Sequence, residues 1–287
     1  MKVIRKNEGT FYVLLSALCF SLAGVLIKSI PWGSMAISGA RSALALLVLL
    51  FYMRIRKQKM KWNRAVLFGA VCNYLMSNTF VFATKMTTAA NAIVLQFTEP
   101  IFVIFAMWFF FGKKPEKSAI LTAAVVFSGI LCFFFEKLSP EGMAGNLLAI
   151  FSGICYTGVF LIKQIPGNDF ESSLVYSYMI SVAVGIPFLA RETDFQAPVL
   201  LCVLLLGVVQ YGFSYVFLSL GLDRVSPVTA SLTSTIEPIL NPLIVSLVTG
   251  ETIGIYAVIG SILVIGASAV YNISDAKKKT EKVQDCP

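Results

Sequence analysis

The stretch Gln96-Phe97-Thr98-Glu99-Pro100 places a carboxylate and a proline inside a long apolar run, Thr88 to Phe111. A run of that length reads as a membrane-spanning helix. An ionisable side chain at mid-membrane depth is expensive, and by default it marks a functional site. Pro100 has no backbone N–H, so the carbonyl of Gln96 one turn earlier loses its helical partner. The sequence therefore predicts a loosened helix beside a buried carboxylate. The pattern returns as Ser234-Thr235-Ile236-Glu237-Pro238, inside the apolar run Ser226 to Val248. The two glutamates are 138 residues apart, close to half of the 287-residue chain.

Composition agrees with a polytopic, all-α integral membrane protein. Apolar residues make up 57% and charged residues 13%, against about 45–50% and about 25% in soluble domains. A net charge of +8 does not point to nucleic acid, because the positive charges sit at the ends of the apolar runs. There they orient the chain and meet anionic lipid. The expected partners are the bilayer and a small-molecule substrate. Of the six cysteines, Cys19, Cys72, Cys132, Cys155 and Cys202 fall in apolar runs, Cys286 lies outside them, and none forms a CxxC pair. They read as small apolar residues. With no histidine, neither a metal site nor a cofactor is expected. The first apolar run is too long for a signal-peptide core and lacks a small-x-small cleavage site, so it reads as a retained helix.

Ten apolar runs can be marked out: Thr10–Ile30, Ser34–Met53, Arg64–Ala83, Thr88–Phe111, Ser118–Phe135, Met143–Ile162, Ser172–Ala190, Pro198–Leu220, Ser226–Val248 and Thr252–Tyr271. Connections such as Pro31-Trp32-Gly33-Ser34 and Pro166-Gly167-Asn168-Asp169 carry turn residues. Trp32 and Trp62 flank the runs and read as interfacial belt residues. With the N-terminus inside, the inner segments hold 18 Lys and Arg and the outer segments 4. By the positive-inside rule both termini are then cytoplasmic.

The two halves resemble each other. At an offset of 138, Gly69 meets Gly207, Ala92 meets Ala230, Glu99-Pro100 meets Glu237-Pro238, and Gly112 meets Gly250. Nearer the starts of the halves the offset is 136, where Ser16, Cys19, Phe20 and Ser21 meet Ser152, Cys155, Tyr156 and Thr157. Five helices per half is an odd number, so the second half enters the membrane from the opposite face. That is an inverted repeat, residues 1–140 and 141–287, with the site expected at the midplane between them.

With ten helices in two halves, Arg41 in the second run and Glu-Pro in the fourth and ninth, the chain resembles the EamA branch of the drug/metabolite transporter superfamily. The resemblance covers nearly the whole chain. It implies a bacterial inner-membrane secondary carrier of small metabolites, often an exporter of amino acids or related compounds. It also implies a central cavity lined mainly by helices 1, 3, 4, 6, 8 and 9. The chain departs from its own symmetry at one point: the seventh run has Ser177 or Met179 where the second has Arg41.

Polar residues recur on single faces of these helices. Gln96 and Glu99 lie on the fourth run. Asn73 and Ser77 share a face of the third, with Tyr74 and Asn78 beside them. Gln210, Tyr211, Ser214 and Tyr215 lie on the eighth, and Ser231, Ser234, Glu237 and Asn241 form a stripe on the ninth. Such stripes face protein or a watery cavity, because lipid satisfies no hydrogen bonds. One reading makes them a substrate site, completed by Phe20 and Tyr156, since an apolar pocket with a few placed polar groups is the usual small-molecule site. The other makes them interhelical glue. The glycines read as packing positions, and Gly158 and Gly185 as packing before hinge.

Two further functional classes compete with a carrier working by alternating access. A membrane-embedded enzyme finds no histidine, metal cluster or nucleophile motif to support it, so no enzyme is expected. A non-transporting membrane protein has no need of two symmetric carboxylates around a cavity. Arg41 lies roughly 10 Å deep and Glu99 roughly 16 Å at 1.5 Å per residue. Arg41 then either pairs with Glu99 or snorkels to the outer interface. Glu237 has no basic counterpart in its own half, which leaves its charge for a proton to neutralise. Of the coupling candidates Arg41, Glu99 and Glu237, it is the one expected to couple transport to protons.

Overall fold

The computed structural model describes the backbone of residues 2–137, 142–240, 244, 247 and 255–284. Among these residues all regular structure is helical, with no strand. This is what lipid demands of a chain that must satisfy its own backbone groups. The helices are α1 (Lys2–Phe20), α2 (Ala23–Ser29), α3 (Ser34–Ile55), α4 (Arg64–Met86), α5 (Ala89–Gln96), α6 (Glu99–Phe111) and α7 (Lys117–Lys137). There follow α8 (Met143–Leu161), α9 (Phe170–Leu189), α10 (Ala197–Leu204), α11 (Ser214–Leu222), α12 (Pro227–Ser234) and α13 (Ile255–Gln284). Between α10 and α11 the stretch Leu205–Phe213 is wound as a π-helix. Residues 237–240 are helical again after α12, and Asn241 lies outside the described residues.

Seven helical segments are long and apolar enough to cross a membrane, and two shorter apolar helices, Lys117–Gly129 and Val258–Tyr271, accompany them. Polarity is distributed as a bilayer protein requires. Phe51, Phe105, Phe109, Phe110 and Leu121 are exposed, whereas Ser16, Ser38, Arg41, Ser152, Ser214 and Glu99 are buried. Local signals set the helix starts. The Thr88 hydroxyl accepts from Asn91 N–H to cap α5, and the Ser226 hydroxyl accepts from Thr229 N–H to cap α12. These two caps are 138 residues apart. Gly112 closes α6 in the left-handed conformation at φ 63°.

The halves pack by exchange. α1 lies on α11, and α8 on α4. The Ser16 hydroxyl donates to Ser214 O at 2.8 Å, and Ser152 donates to Met76 O at 2.8 Å. Each serine is the counterpart of the other, and so is each acceptor, so one contact is made twice across the molecule. α3 packs on α9, and α7 on α13. A Cβ on Gly185 would lie 2.4 Å from the Gly39 Cα, so the α3 and α9 backbones touch where neither residue has a side chain. Gly185 and Gly158, the latter against Cys72, are thus packing positions. Trp32 departs from its expected place in the belt. It is 4% exposed, and its indole N–H donates to Asp194 O at 2.7 Å. Trp62 is exposed.

At the bundle end carrying the α3–α4 connection, Gln58 donates to both Asp169 and Glu171. Lys163 donates to Asp223 at 2.6 Å, and Ser219 donates to Glu171. This polar clamp joins the two halves at that end.

Candidate functional site

Four departures from regular helix meet around one cavity. α1 stops at Phe20, α5 stops at Gln96, the chain restarts at Glu237 after α12, and the π-helix carries Gln210 and Tyr211. The prolines set two of these breaks. Pro100 stands in the first turn of α6, and Ile101 N–H reaches back only to Thr98 O, at 3.2 Å. Its counterpart repeats this, with Ile239 N–H bonding Ile236 O at 3.2 Å. The carbonyl that Pro100 leaves free, Gln96 O, points at Gly153, where a Cβ would lie 2.4 Å from it.

Phe20, Gln96, Tyr156, Gln210, Tyr215 and Glu237 line the cavity, and Arg41, Ser77 and Tyr211 form one wall. Met76 and Phe80 complete it. Sequence reading missed these two, although they lie on the face of α4 that carries Asn73 and Ser77. The cavity holds about 30 Å³, room for a water or two, so the site is compact in this state.

Arg41 is 2% exposed. Its Nη2 donates to Ser77 O at 2.8 Å and to Ser77 Oγ at 2.7 Å. The guanidinium lies 4.4 Å from the Tyr211 ring centroid, in cation–π range. The Tyr211 hydroxyl also donates to Ser77 Oγ, at 2.6 Å. Neither expectation for Arg41 holds here. It does not pair with Glu99, because α4 and the π-helix stand over its guanidinium, and burial this deep excludes snorkelling. Glu99 is 0% exposed and accepts instead from the Ser231 hydroxyl at 2.7 Å.

The remaining candidates fall into two groups. Gln96 donates to Ser152 Oγ at 2.6 Å from the cavity wall. Asn73, Tyr74, Asn78, Glu99, Ser214 and Ser234 do not line the cavity. Asn73 donates to Ser177 Oγ at 2.8 Å and Asn78 to Ser181 Oγ at 3.2 Å, tying α4 to α9. The Ser214 hydroxyl turns back to Gln210 O and that of Ser234 to Ala230 O. Ser231, which holds Glu99, belongs to the polar stripe of the ninth run, whereas Ser152, which holds Gln96, is not among the site candidates. The repeated Ser16/Ser152 pair and the polar stripe of α12 were the available signals.

Among the described residues, seven buried side-chain atoms have no hydrogen-bond partner: Ser38 Oγ, Arg41 Nε, Ser42 Oγ, Asn73 Oδ1, Glu99 Oε1, Gln210 Oε1 and Glu237 Oε2. Native proteins pair such atoms almost always. Here they gather on α3, α4, the π-helix and the two Glu-Pro breaks. An arrangement of this kind can present charge and hydrogen-bonding capacity to a small polar guest.

A multi-pass membrane protein with paired helix breaks around a buried cavity that carries a few polar side chains has the build of a solute transporter. The sequence profile of the EamA-like transporter family matches residues 7–135 and again 143–273, and the chain belongs to that family. It is 24% identical to an uncharacterized transporter of Clostridium kluyveri, over 96% of each chain. It is 23% identical to an uncharacterized transporter of Archaeoglobus fulgidus, over 90% of this chain and 93% of the other. It is 21% identical to the uncharacterized inner membrane transporter YicL of Salmonella typhimurium, over 95% and 97%. A solved crystal structure superposes with a TM-score of 0.77 at 15% identity, over 95% of this chain and 99% of that one. This last likeness concerns the fold.

Proposed function

We propose that the chain is a secondary carrier of the bacterial inner membrane that exports amino acids or related small metabolites by alternating access. The proposed architecture is ten spans in two inverted five-helix repeats, residues 1–140 and 141–287, with both ends cytoplasmic. One observation carries the reading. Two Glu-Pro breaks, one from each half, stand beside a single cavity, and the serine contacts Ser16–Ser214 and Ser152–Met76 exchange the halves around it. Rocking one half against the other exposes such a cavity first to one side and then to the other. Glu237 is the coupling residue in this reading, since it lines the cavity and no described cation pairs with it.

The test is flux of radiolabelled amino acids in liposomes containing the purified protein, with and without a pH gradient. Gradient-driven flux is expected, and its absence for every amino acid removes the reading. Topology is checked separately at Cys286, which lies outside the described residues. In otherwise cysteine-free protein it reacts with an impermeant thiol reagent only after cells are opened.

A further inference from the structure

We propose that Phe170 gates the central cavity at the bundle end carrying the α3–α4 connection, and that Gln58 is the latch holding the gate shut. The proposal rests on the carrier reading above and deepens it, because it names how the cavity opens at one end. A vestibule of about 340 Å³ lies at that end, lined in part by Lys163, Asp169, Phe170, Glu171 and Asp223. Asp223 is exposed, so the vestibule meets solvent. Phe170 is 2% exposed. Its ring centroid lies 6.4 Å from that of Tyr215, which in turn stands 5.0 Å from Phe20, edge to face. Tyr215 and Phe20 line the central cavity. Phe170 thus has the vestibule on one side and the aromatic wall of the cavity on the other. Behind it the cavity, at about 30 Å³, admits only water.

The grip on Phe170 comes from the other half. Asp169 caps α9, accepting from Ser172 N–H at 2.9 Å, and so fixes Phe170 in the first turn. Gln58 Nε2 donates to Asp169 Oδ1 at 3.1 Å and to Glu171 Oε2 at 3.0 Å, the residues on either side of Phe170. Lys61 N–H donates to Ser172 Oγ at 2.9 Å, and Asn63 to Gly167 O at 2.7 Å. Residues 58–63 of the first half therefore hold residues 167–172 of the second. From within the second half, the Lys163 ammonium stands 5.3 Å from the Phe170 ring centroid and donates to Asp223 at 2.6 Å. Such bonds suit a latch. Gln58 is half-buried, so water can replace its hydrogen bonds when they part. The start of α9 then swings Phe170 away from Tyr215, as residues at element ends do in hinge motions. At the opposite end the first residue of α3 is Ser34 where that of α9 is Phe170, so the aromatic gate belongs to one end.

The test is the rate at which a membrane-impermeant methanethiosulfonate labels Met76→Cys, a position on the cavity wall, in otherwise cysteine-free full-length protein. The reagent is applied to each face of sealed vesicles in turn. Labelling of this parent should be slow from both faces. Phe170→Ala and Gln58→Leu should each raise the rate roughly 10- to 100-fold, as for loss of one or two hydrogen bonds to charged groups. The rise should come from the face carrying the α3–α4 connection alone. Phe170→Leu, which keeps most of the bulk, should raise the rate less than Phe170→Ala. Unchanged labelling in folded Phe170→Ala or Gln58→Leu protein, or an equal rise from both faces, overturns the proposal. Gln58 lies in the connection between α3 and α4, so its variant decides where Phe170→Ala fails to fold. Amino acid flux in liposomes, with labelling unmoved by either variant, would remove the gate and leave the carrier reading standing. The expected labelling with no flux of any amino acid would do the reverse.

Discussion

The two Glu-Pro breaks share a backbone and differ in what surrounds their carboxylates. Glu99 accepts from Ser231 at 2.7 Å and stands behind the cavity wall. Glu237 lines the cavity with an unpartnered oxygen. The cause lies 138 residues before Ser231, where the first half has Ile93, fully buried at 0% exposure. The donor that symmetry would offer Glu237 is a hydrocarbon. The neighbouring positions diverge in the same way: Gln96 bonds across to Ser152, whereas its counterpart Ser234 bonds back to its own helix. The first break is fastened to the other half, and the second is left open to the cavity. Two matching halves can thus keep one backbone break twice and its chemistry once.

The largest expected effect on stability is at Gly153, where any Cβ meets the carbonyl that Pro100 frees. Gly153→Leu should cost about 3 kcal/mol or more, read as thermal unfolding in detergent. Ala17→Gly, at the equivalent position, should cost about 1 kcal/mol. Equal losses would mean that the freed carbonyl does not set the difference. Next comes Ser231→Ala, which leaves Glu99 buried without its donor and should cost about 1–3 kcal/mol. Ser234→Ala should cost under about 0.5 kcal/mol. A third comparison sets Glu237→Gln against Glu99→Gln. The first should change stability by less than about 1 kcal/mol and abolish pH-driven flux. The second should impair stability or binding. If Glu237→Gln keeps full pH-driven flux and Glu99→Gln loses only coupling, the roles are exchanged. The smallest effect is a coupling of about 0.6 kcal/mol between Ile93→Ser and Glu237→Gln in a double-mutant cycle. Zero coupling would show that residue 93 does not face Glu237 as Ser231 faces Glu99.

What sequence revealed follows from what periodicity carries. Seven of the apolar runs coincide with helical segments long and apolar enough to cross a membrane, and the polar stripes name Gln96, Gln210, Tyr211 and Glu237, which line the cavity. Rotation about the helix axis was not legible. Depth along a helix gave Arg41 and Glu99 comparable heights, but not the directions in which they point. The residue 138 positions before Tyr211 is Asn73, and Tyr74 stands one position further on. One residue turns a helix by about 100°, which carries Tyr74 off the cavity wall. The symmetric view also explains Ser177. It stands where Arg41 would recur and bonds Asn73, just as Arg41 covers Tyr211. The breaks in α1–α2 and the π-winding of Leu205–Phe213 carry no proline, so no local residue type announced them.

The exchange of serine contacts has a consequence for biosynthesis. Ser16 and its acceptor Ser214 O are 198 residues apart. At about 5–20 residues per second, the ribosome needs roughly 10–40 s to deliver the second after the first. During that interval the first helix sits in the bilayer with a hydroxyl meant for a partner not yet made. Ser152, by contrast, emerges after Met76 and finds its acceptor already in place. The newborn chain is therefore completed from its later half backwards, and a ribosome that stalls before Ser214 leaves behind a bundle whose first helix has nowhere to dock.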